Sequence, residues 1–294
     1  MASTKRASKT RRLDPVPCVL AIGGLDPGGG AGVLADARAI TRAGAFACAS
    51  VAVLTVQSTS GMRAATAVAR SELLAACTEV LKNQRVRAIK IGALGSDENT
   101  RAIGDFLAIH RDIPAVVDTV MVPSRGRARL LEERAIFTLR DRVLPRAALV
   151  TVNAPEAEVL TGRRVTRLDE AHDAALALLD LGCRAILVKG GHLGGSRAVD
   201  LLAIAPAKPR GKGKKARTKI IELTAARISL PAPIHGGGCF LASLVAGRLA
   251  VEAEAYEAKP TKALIAALRW AKEVHHDALR SGRDVGGDLR VLLA

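Results

Sequence analysis

Short, nearly uninterrupted apolar runs alternate along this chain with longer stretches whose apolar positions recur every three or four residues. Val16–Gly23, Phe46–Val56, Val86–Ile91, Ala115–Asp118, Ala148–Val152 and Ala185–Val188 are runs of the first kind. Continuous rather than alternating apolarity marks strands covered on both faces. Ala31–Ala43, Ser71–Asn83, Asn99–His110, Leu130–Arg142, Pro155–Leu160 and Leu168–Leu181 have helical spacing with charged outer faces. This βα repetition predicts an α/β fold, a mostly parallel sheet between two layers of helices. Ala198–Ile204 and Ile220–Leu230 read as a strand pair extending one edge, and Cys239–Val251 and Thr261–Ser281 as closing helices. No Pro/Ser-rich linker divides the chain, so residues 16–294 are expected to form a single domain.

The 294 residues are 49% hydrophobic but only 2% aromatic, so the core must be aliphatic and few rings are left for stacking on bases. That weighs against a single-stranded nucleic-acid binder. The formal charge of +16 is unevenly placed: Lys5, Arg6, Lys9, Arg11 and Arg12, with Lys208, Arg210, Lys212, Lys214, Lys215, Arg217 and Lys219, account for all but four of it. The basicity therefore belongs to a tail at 1–15 and a loop insert at about 206–219, both expected to be disordered and solvated. Either serves solubility, with phosphate steering or loose RNA contact as the alternative. The five cysteines show neither CxxC pairs nor zinc spacing, which fits a reducing cytoplasm. Arg11-Arg12 precedes an apolar stretch, but Pro17, Gly23-Gly24 and Asp26 interrupt it, and it reads as the first strand rather than an export signal. No run has the roughly 18 apolar residues that a membrane helix needs.

Ligands of open α/β sheets bind beyond the carboxyl ends of the strands. Asp26 with Gly28-Gly29-Gly30 follows the first predicted strand, Gln57 the second, and Lys90 with Gly92 the third. Asp118 follows the fourth, Asn153 and Glu156 the fifth, and Lys189 with Gly190-Gly191-His192 the sixth. Each alone reads equally as a cap, a turn or a surface residue, yet all fall on one rim. Asp118, Asn153 and Glu156 bear the oxygens that suit Mg²⁺ held largely through water. Lys189 supplies a point charge for a phosphate.

Gly236-Gly237-Gly238-Cys239 opens a long apolar helix. Unencumbered N–H groups at a helix N-terminus suit an anion, and the same partial charge is expected to lower the Cys239 thiol pKa toward a usable base. The plainer reading is a glycine-rich bend followed by a buried cysteine. Walker A and G-x-G-x-x-G motifs are both missing, which disfavours a P-loop kinase and a Rossmann dehydrogenase.

Gly24-Leu25-Asp26-Pro27-Gly28-Gly29-Gly30-Ala31-Gly32 with Ala35-Asp36 resembles the N-terminal signature of the hydroxymethylpyrimidine and phosphomethylpyrimidine kinases of thiamine biosynthesis, members of the ribokinase-like superfamily. The resemblance continues in order through Thr55–Thr59, Lys90–Leu94, Val117–Val122, Asn153–Ala157, Val188–His192 and His235–Cys239. It implies a ribokinase-like three-layer α/β/α sandwich and an ATP- and Mg²⁺-dependent kinase that forms a homodimer. By resemblance, Gly24, Asp36, Gln57, Ala93 and Val120 border the pyrimidine. Asn153 and Glu156 form the N-x-x-E pair that organises Mg²⁺ and phosphate, with Asp118 as a further metal carboxylate and Lys189 on the nucleotide phosphates. Gly236, Gly237 and Gly238 form the anion hole, and Cys239 takes the catalytic-base position.

Three positions depart from that family's pattern. Gly237 stands where a threonine is usual, Ala93 where a methionine packs on the ring, and Leu25 where a small hydroxyl residue is usual. They bear on substrate identity more than on reaction class. A pyridoxal or pyridoxine kinase, and a catalytically impaired pyrimidine-binding relative, are the alternatives.

Overall fold

The computed structural model describes residues 15–121, 129–206, 217–230 and 232–293. Almost all of the expected tail and loop insert, and Val122 of the quoted motif, lie outside the described residues. The expected apolar runs form β1 (Cys18–Leu25), β2 (Phe46–Ser58), β4 (Val86–Ile91), β5 (Ala115–Asp118), β6 (Leu149–Asn153) and β7 (Ala185–Lys189). Together with β3 (Gly61–Ala67), β8 (Arg197–Ile204) and β9 (Lys219–Ala226) they build one sheet in the order β3-β2-β1-β4-β5-β6-β7-β8-β9. The six strands from β2 to β7 are parallel, and β3, β8 and β9 add antiparallel edges.

Side chains alternate across a strand, so each parallel strand feeds two cores. On β1, Leu20 and Ile22 join one cluster while Val19 and Ala21 join the other. Helices α2 (Arg70–Asn83), α3 (Asp97–Ile109), α4 (Glu133–Thr138), α5 (Ala154–Thr161) and α6 (Leu168–Asp180) cover the first face. Helices α1 (Gly32–Arg42), α7 (Gly237–Val251) and α9 (Pro260–Arg280) cover the second, with the short α8 (Ala253–Ala258) between the last two. This is the expected three-layer sandwich. Among the described residues no helix is long and apolar enough to cross a membrane.

Several elements differ from expectation. β2 runs on through Gln57 and turns back as β3, with Ser58 paired to Gly61. Of β3 only Met62 is buried, so this edge strand has no apolar pattern to betray it. The helix expected over Leu130–Arg142 starts late: Leu130 lies in a bend and Leu131 in a single bridge to Gly95, both buried, and Glu132 precedes α4. After α4 the turn widens at Leu139–Val143 and tightens at Leu144–Arg146, where Pro145 removes a helical donor. The strand expected to reach Leu230 ends at Ala226. A two-residue parallel bridge joins β10 (Ile234–His235) to β11 (Arg290–Val291), so the C-terminal segment closes on the start of α7.

Helix α7 is buried nearly all round and crosses α1 closely at Gly247. A Cβ there would lie 2.6 Å from Ala43 Cβ and 3.3 Å from the Ile40 backbone. Gly247→Val should therefore lower unfolding free energy by about 2 kcal/mol through overpacking, measured by urea denaturation.

Candidate active site

The carboxyl ends of the parallel strands meet the N-terminus of α7, and between them opens a cavity of about 840 Å³. Gly24, Asp36, Gln57, Ala93, Asp118, Val120, Asn153, Glu156, Lys189, Gly236, Gly237, Gly238 and Cys239 all line it. Gly28, Gly29 and Gly30 do not. Their loop instead carries the glycine turn: Gly236, at φ 76°, could not bear a Cβ, which would fall 2.1 Å from Gly30 O. The His235 ring covers Gly30 just as tightly. The two glycine clusters interlock, one as platform and the other as cavity wall.

Asp26 pins the platform, accepting from Gly28 N–H and Ala31 N–H at 2.9 Å each and from His235 Nε2 at 2.8 Å. Burial alone would raise its pKa, but the His235 bond and these N–H groups outweigh burial and hold it below the ordinary carboxylate range. An ionised carboxylate only accepts, so His235 Nε2 carries its proton toward Asp26. The Gln57 amide nitrogen lies 3.0 Å from that ring nitrogen.

Two buried ion pairs flank the start of α7. Lys90 Nζ donates to both Asp36 oxygens at 2.8 Å, and Ser243 of α7 donates to Asp36 Oδ1 at 2.8 Å. Lys90 and Asp36 are 1% and 0% exposed. Burial opposes the Lys90 charge, yet Asp36 outweighs it and keeps the ammonium above its usual range. Asp36 thus lies on the cavity lining with its carboxylate engaged by lysine and serine. Lys189 Nζ donates to Asp118 Oδ1 at 2.8 Å, where Thr151 also donates, and lies 3.9 Å from Glu156 Oε2. A Cβ on Gly238 would be 2.9 Å from Lys189 Nζ, so the ammonium presses on the glycine turn.

Asn153 and Glu156 are also a capping box. Glu156 N–H donates to Asn153 Oδ1 and Asn153 N–H to Glu156 Oε2, both at 2.8 Å, with Pro155 in the first turn. The capping and site readings are thus both satisfied. Burial, with Asp118 opposing Lys189, raises the Glu156 pKa to about 6. Thr119 donates to the same oxygen, Oε2. No cluster of three or more His, Cys, Asp or Glu suited to a metal occurs among the described residues. Two carboxylates beside a phosphate-sized opening fit a Mg²⁺ ion held mainly by water and phosphate.

The expected lowering of the Cys239 thiol pKa is not borne out. Burial pushes its thiol well above the ordinary range; Lys90 and Lys189 pull it down, but Asp118 and Asp36 push it further up. The helix terminus does not make it a resting thiolate.

Sequence reasoning missed several residues. Ser243 was legible as the lone hydroxyl in an apolar helix, four positions after Cys239. Lys272 and His275 of α9 line the cavity; Lys272 donates to Asp200 at 2.6 Å, which accepts from Gly190 N–H at 2.7 Å. Arg227 reaches the carbonyls of Gly191, Leu193 and Gly195 and ties down the loop after β7. No local motif announces these long-range contacts.

A phosphomethylpyrimidine kinase family model matches residues 26–288. The chain is 35% identical to the hydroxymethylpyrimidine/phosphomethylpyrimidine kinase of Streptomyces coelicolor over 273 residues, covering 93% of this chain and 92% of that one. It is also 35% identical over 252 residues to the thiamine biosynthesis bifunctional protein ThiED of Geobacter sulfurreducens; the match covers 85% of this chain but spans about half, 49%, of that protein. In fold it is similar to a Staphylococcus aureus pyridoxal kinase solved with AMP-PCP and pyridoxal, with a TM-score of 0.78 at 22% identity over 95% of this chain and 93% of that one.

The raised Glu156 pKa makes a stability prediction. Its protonated form is favoured in the fold, so full stability is present below the ordinary value of 4.5 and is lost as pH rises through about 6. Glu156→Gln should match the parent in thermal melts at pH 4.5. At pH 8 it should be more stable by about 2 kcal/mol.

Proposed function

Because the chain belongs to the phosphomethylpyrimidine kinase family and is a kinase, we propose that this cavity transfers the γ-phosphoryl group of ATP to 4-amino-5-hydroxymethyl-2-methylpyrimidine, to its monophosphate, or to both. The observation that carries this reading is the meeting, in one cavity, of a helix N-terminus, Lys189 and Cys239 with the Gln57 amide. A homodimeric assembly and a cytoplasmic setting belong to the same proposal.

In the pyrimidine half, Gln57 satisfies His235 Nε2–H best when its carbonyl oxygen faces the imidazole. Its NH₂ then turns toward the cavity as a donor for a ring nitrogen. Gly24 and Ala93 form a flat wall, a Cβ on Gly24 lying 3.7 Å from Ala93 Cβ, and Val120 borders it.

In the phosphate half, the first N–H groups of α7 have no helical acceptors and can receive the transferred phosphoryl oxygens. Lys189 leaves Asp118 to neutralise phosphate charge. Asp118 and Glu156 would hold Mg²⁺ with Asn153 beside them, and the bound ion would supply further charge neutralisation. The substrate hydroxymethyl oxygen forms the new O–P bond, the bond from γ-phosphorus to the bridging oxygen breaks, and ADP leaves with that electron pair. The hydroxyl proton passes to Cys239 in its thiolate form. Phosphoryl transfer states are loose, so this proton leaves late and a small thiolate fraction suffices.

Ala93 favours one further reading, pyridoxal phosphorylation, because a small side chain leaves more room beside the ring. A coupled ATP-consumption assay with hydroxymethylpyrimidine, its phosphate and pyridoxal decides between them. Turnover of a pyrimidine is expected, and turnover of pyridoxal alone would overturn the reading. Cys239→Ala should lower kcat about 100-fold while leaving pyrimidine affinity within a few-fold. Because the thiol pKa is raised, kcat of the parent should keep rising with pH into the alkaline range, and this rise should vanish in Cys239→Ala. An unchanged profile would remove Cys239 as the base.

A further inference from the structure

The glycine turn lacks side chains with which to hold its own shape. Gly236 is already in the left-handed region, and Gly237 and Gly238 follow it without a Cβ between them. Glycine backbones are the freest of all, and an anion hole works only when its donors are aimed before the charge arrives. Something outside the turn must therefore restrain it.

The Gly30 platform holds Gly236, and a further restraint, on the next peptide, comes from α9. His275 Nε2 lies 2.9 Å from Gly237 O. A carbonyl only accepts, so this nitrogen carries the imidazole proton and donates it. Burial, reinforced by the nearby Lys272 charge, lowers the His275 pKa to about 4, so the ring remains neutral in the physiological range. It is 9% exposed, and its Nδ1 has no partner. Gly237 O and Gly238 N–H belong to one planar peptide unit. Fixing the carbonyl fixes the direction of the opposite N–H, and the bond polarises that N–H toward an anion.

We propose that His275 is a positioning residue of the anion hole, holding the peptide between Gly237 and Gly238 so that its N–H faces the phosphoryl group in transfer. This rests on the kinase reading of the cavity. The contact that gives His275 this role is its bond to Gly237 O, within the cavity that it also lines. It acts through the turn and should count more in the transition state than in ground-state binding.

The test uses the full chain with Mg²⁺, ATP and whichever acceptor it phosphorylates. His275→Leu and His275→Met remove the donor while largely filling its space; His275→Gln keeps an N–H. The first two should lower kcat about tenfold, with acceptor KM and MgADP affinity unchanged, and His275→Gln should stay within threefold of the parent. Gly237→Ala has room, since its Cβ would lie 3.5 Å from Ile234 and 3.8 Å from His275 and Leu279. By stiffening the turn, it should recover at least threefold in the His275→Leu background. Leucine and methionine variants within twofold of the parent would overturn the inference, as would a glutamine variant falling as far as they do. Calorimetric binding of ADP with aluminium fluoride provides a readout without turnover, expected to weaken about tenfold in His275→Leu. A chain that phosphorylates none of the three acceptors yet shows this weakening loses the substrate reading and keeps the inference, while unchanged fluoride binding removes the inference alone.

Discussion

Everything at the rim depends on charges being buried in pairs. Lys90, Asp36, Asp118, Lys189 and Glu156 are drawn together by the convergence of β4, β5, β6 and β7 with α1, and none could be left alone there without a cost of several kcal/mol. The parallel sheet imposes this crowding because its strands all end on the same side. Pairing makes it tolerable, and pairing is also what readies the site. Lys189 stays near the glycine turn because Asp118 holds it, and in the proposed reaction it would exchange that partner for phosphate. Lys90 and Asp36 hold each other through both carboxylate oxygens, with Ser243 of α7 donating to the same carboxylate. One pair is a fixed strut and the other a loaded contact.

The glycines divide in a similar way. Those after β1 serve closeness: they let His235 and the start of α7 sit directly on the platform that Asp26 organises. Those before Cys239 serve exposure, keeping side chains away from the N–H groups. A sequence shows both as glycine runs near a helix start. Only packing distinguishes a platform from an anion site, and here the platform is also what aims the Gln57 amide through His235.

Much of this was legible because a parallel sheet writes itself as continuous apolar runs, and the polar residue after each run must lie at the carboxyl rim. That rule alone brought Asp118, Glu156 and Lys189 to one place. It failed where burial is partial or partners are distant. β3 carries one buried residue and no pattern. The two-residue bridge of β10 with β11 is too short to have a period. Lys90, which engages Asp36, is 54 positions from it in the chain, and a titration state set by the surrounding charges cannot be read from the helix terminus that begins at Gly237.

That last failure bears on how the chemistry must work. A helix N-terminus favours a thiolate by roughly 1 kcal/mol, whereas burial beside two carboxylates opposes it by more. A resting thiolate would repel the incoming triphosphate across a short, dry gap. A resting thiol would not, so in the proposed reaction an anionic ligand would meet an uncharged sulfur. The two lysines pull the other way. As long as Lys189 serves Asp118 it offsets part of that carboxylate's push on the sulfur, and a lysine drawn off toward phosphate would leave the sulfur beside a less neutralised Asp118.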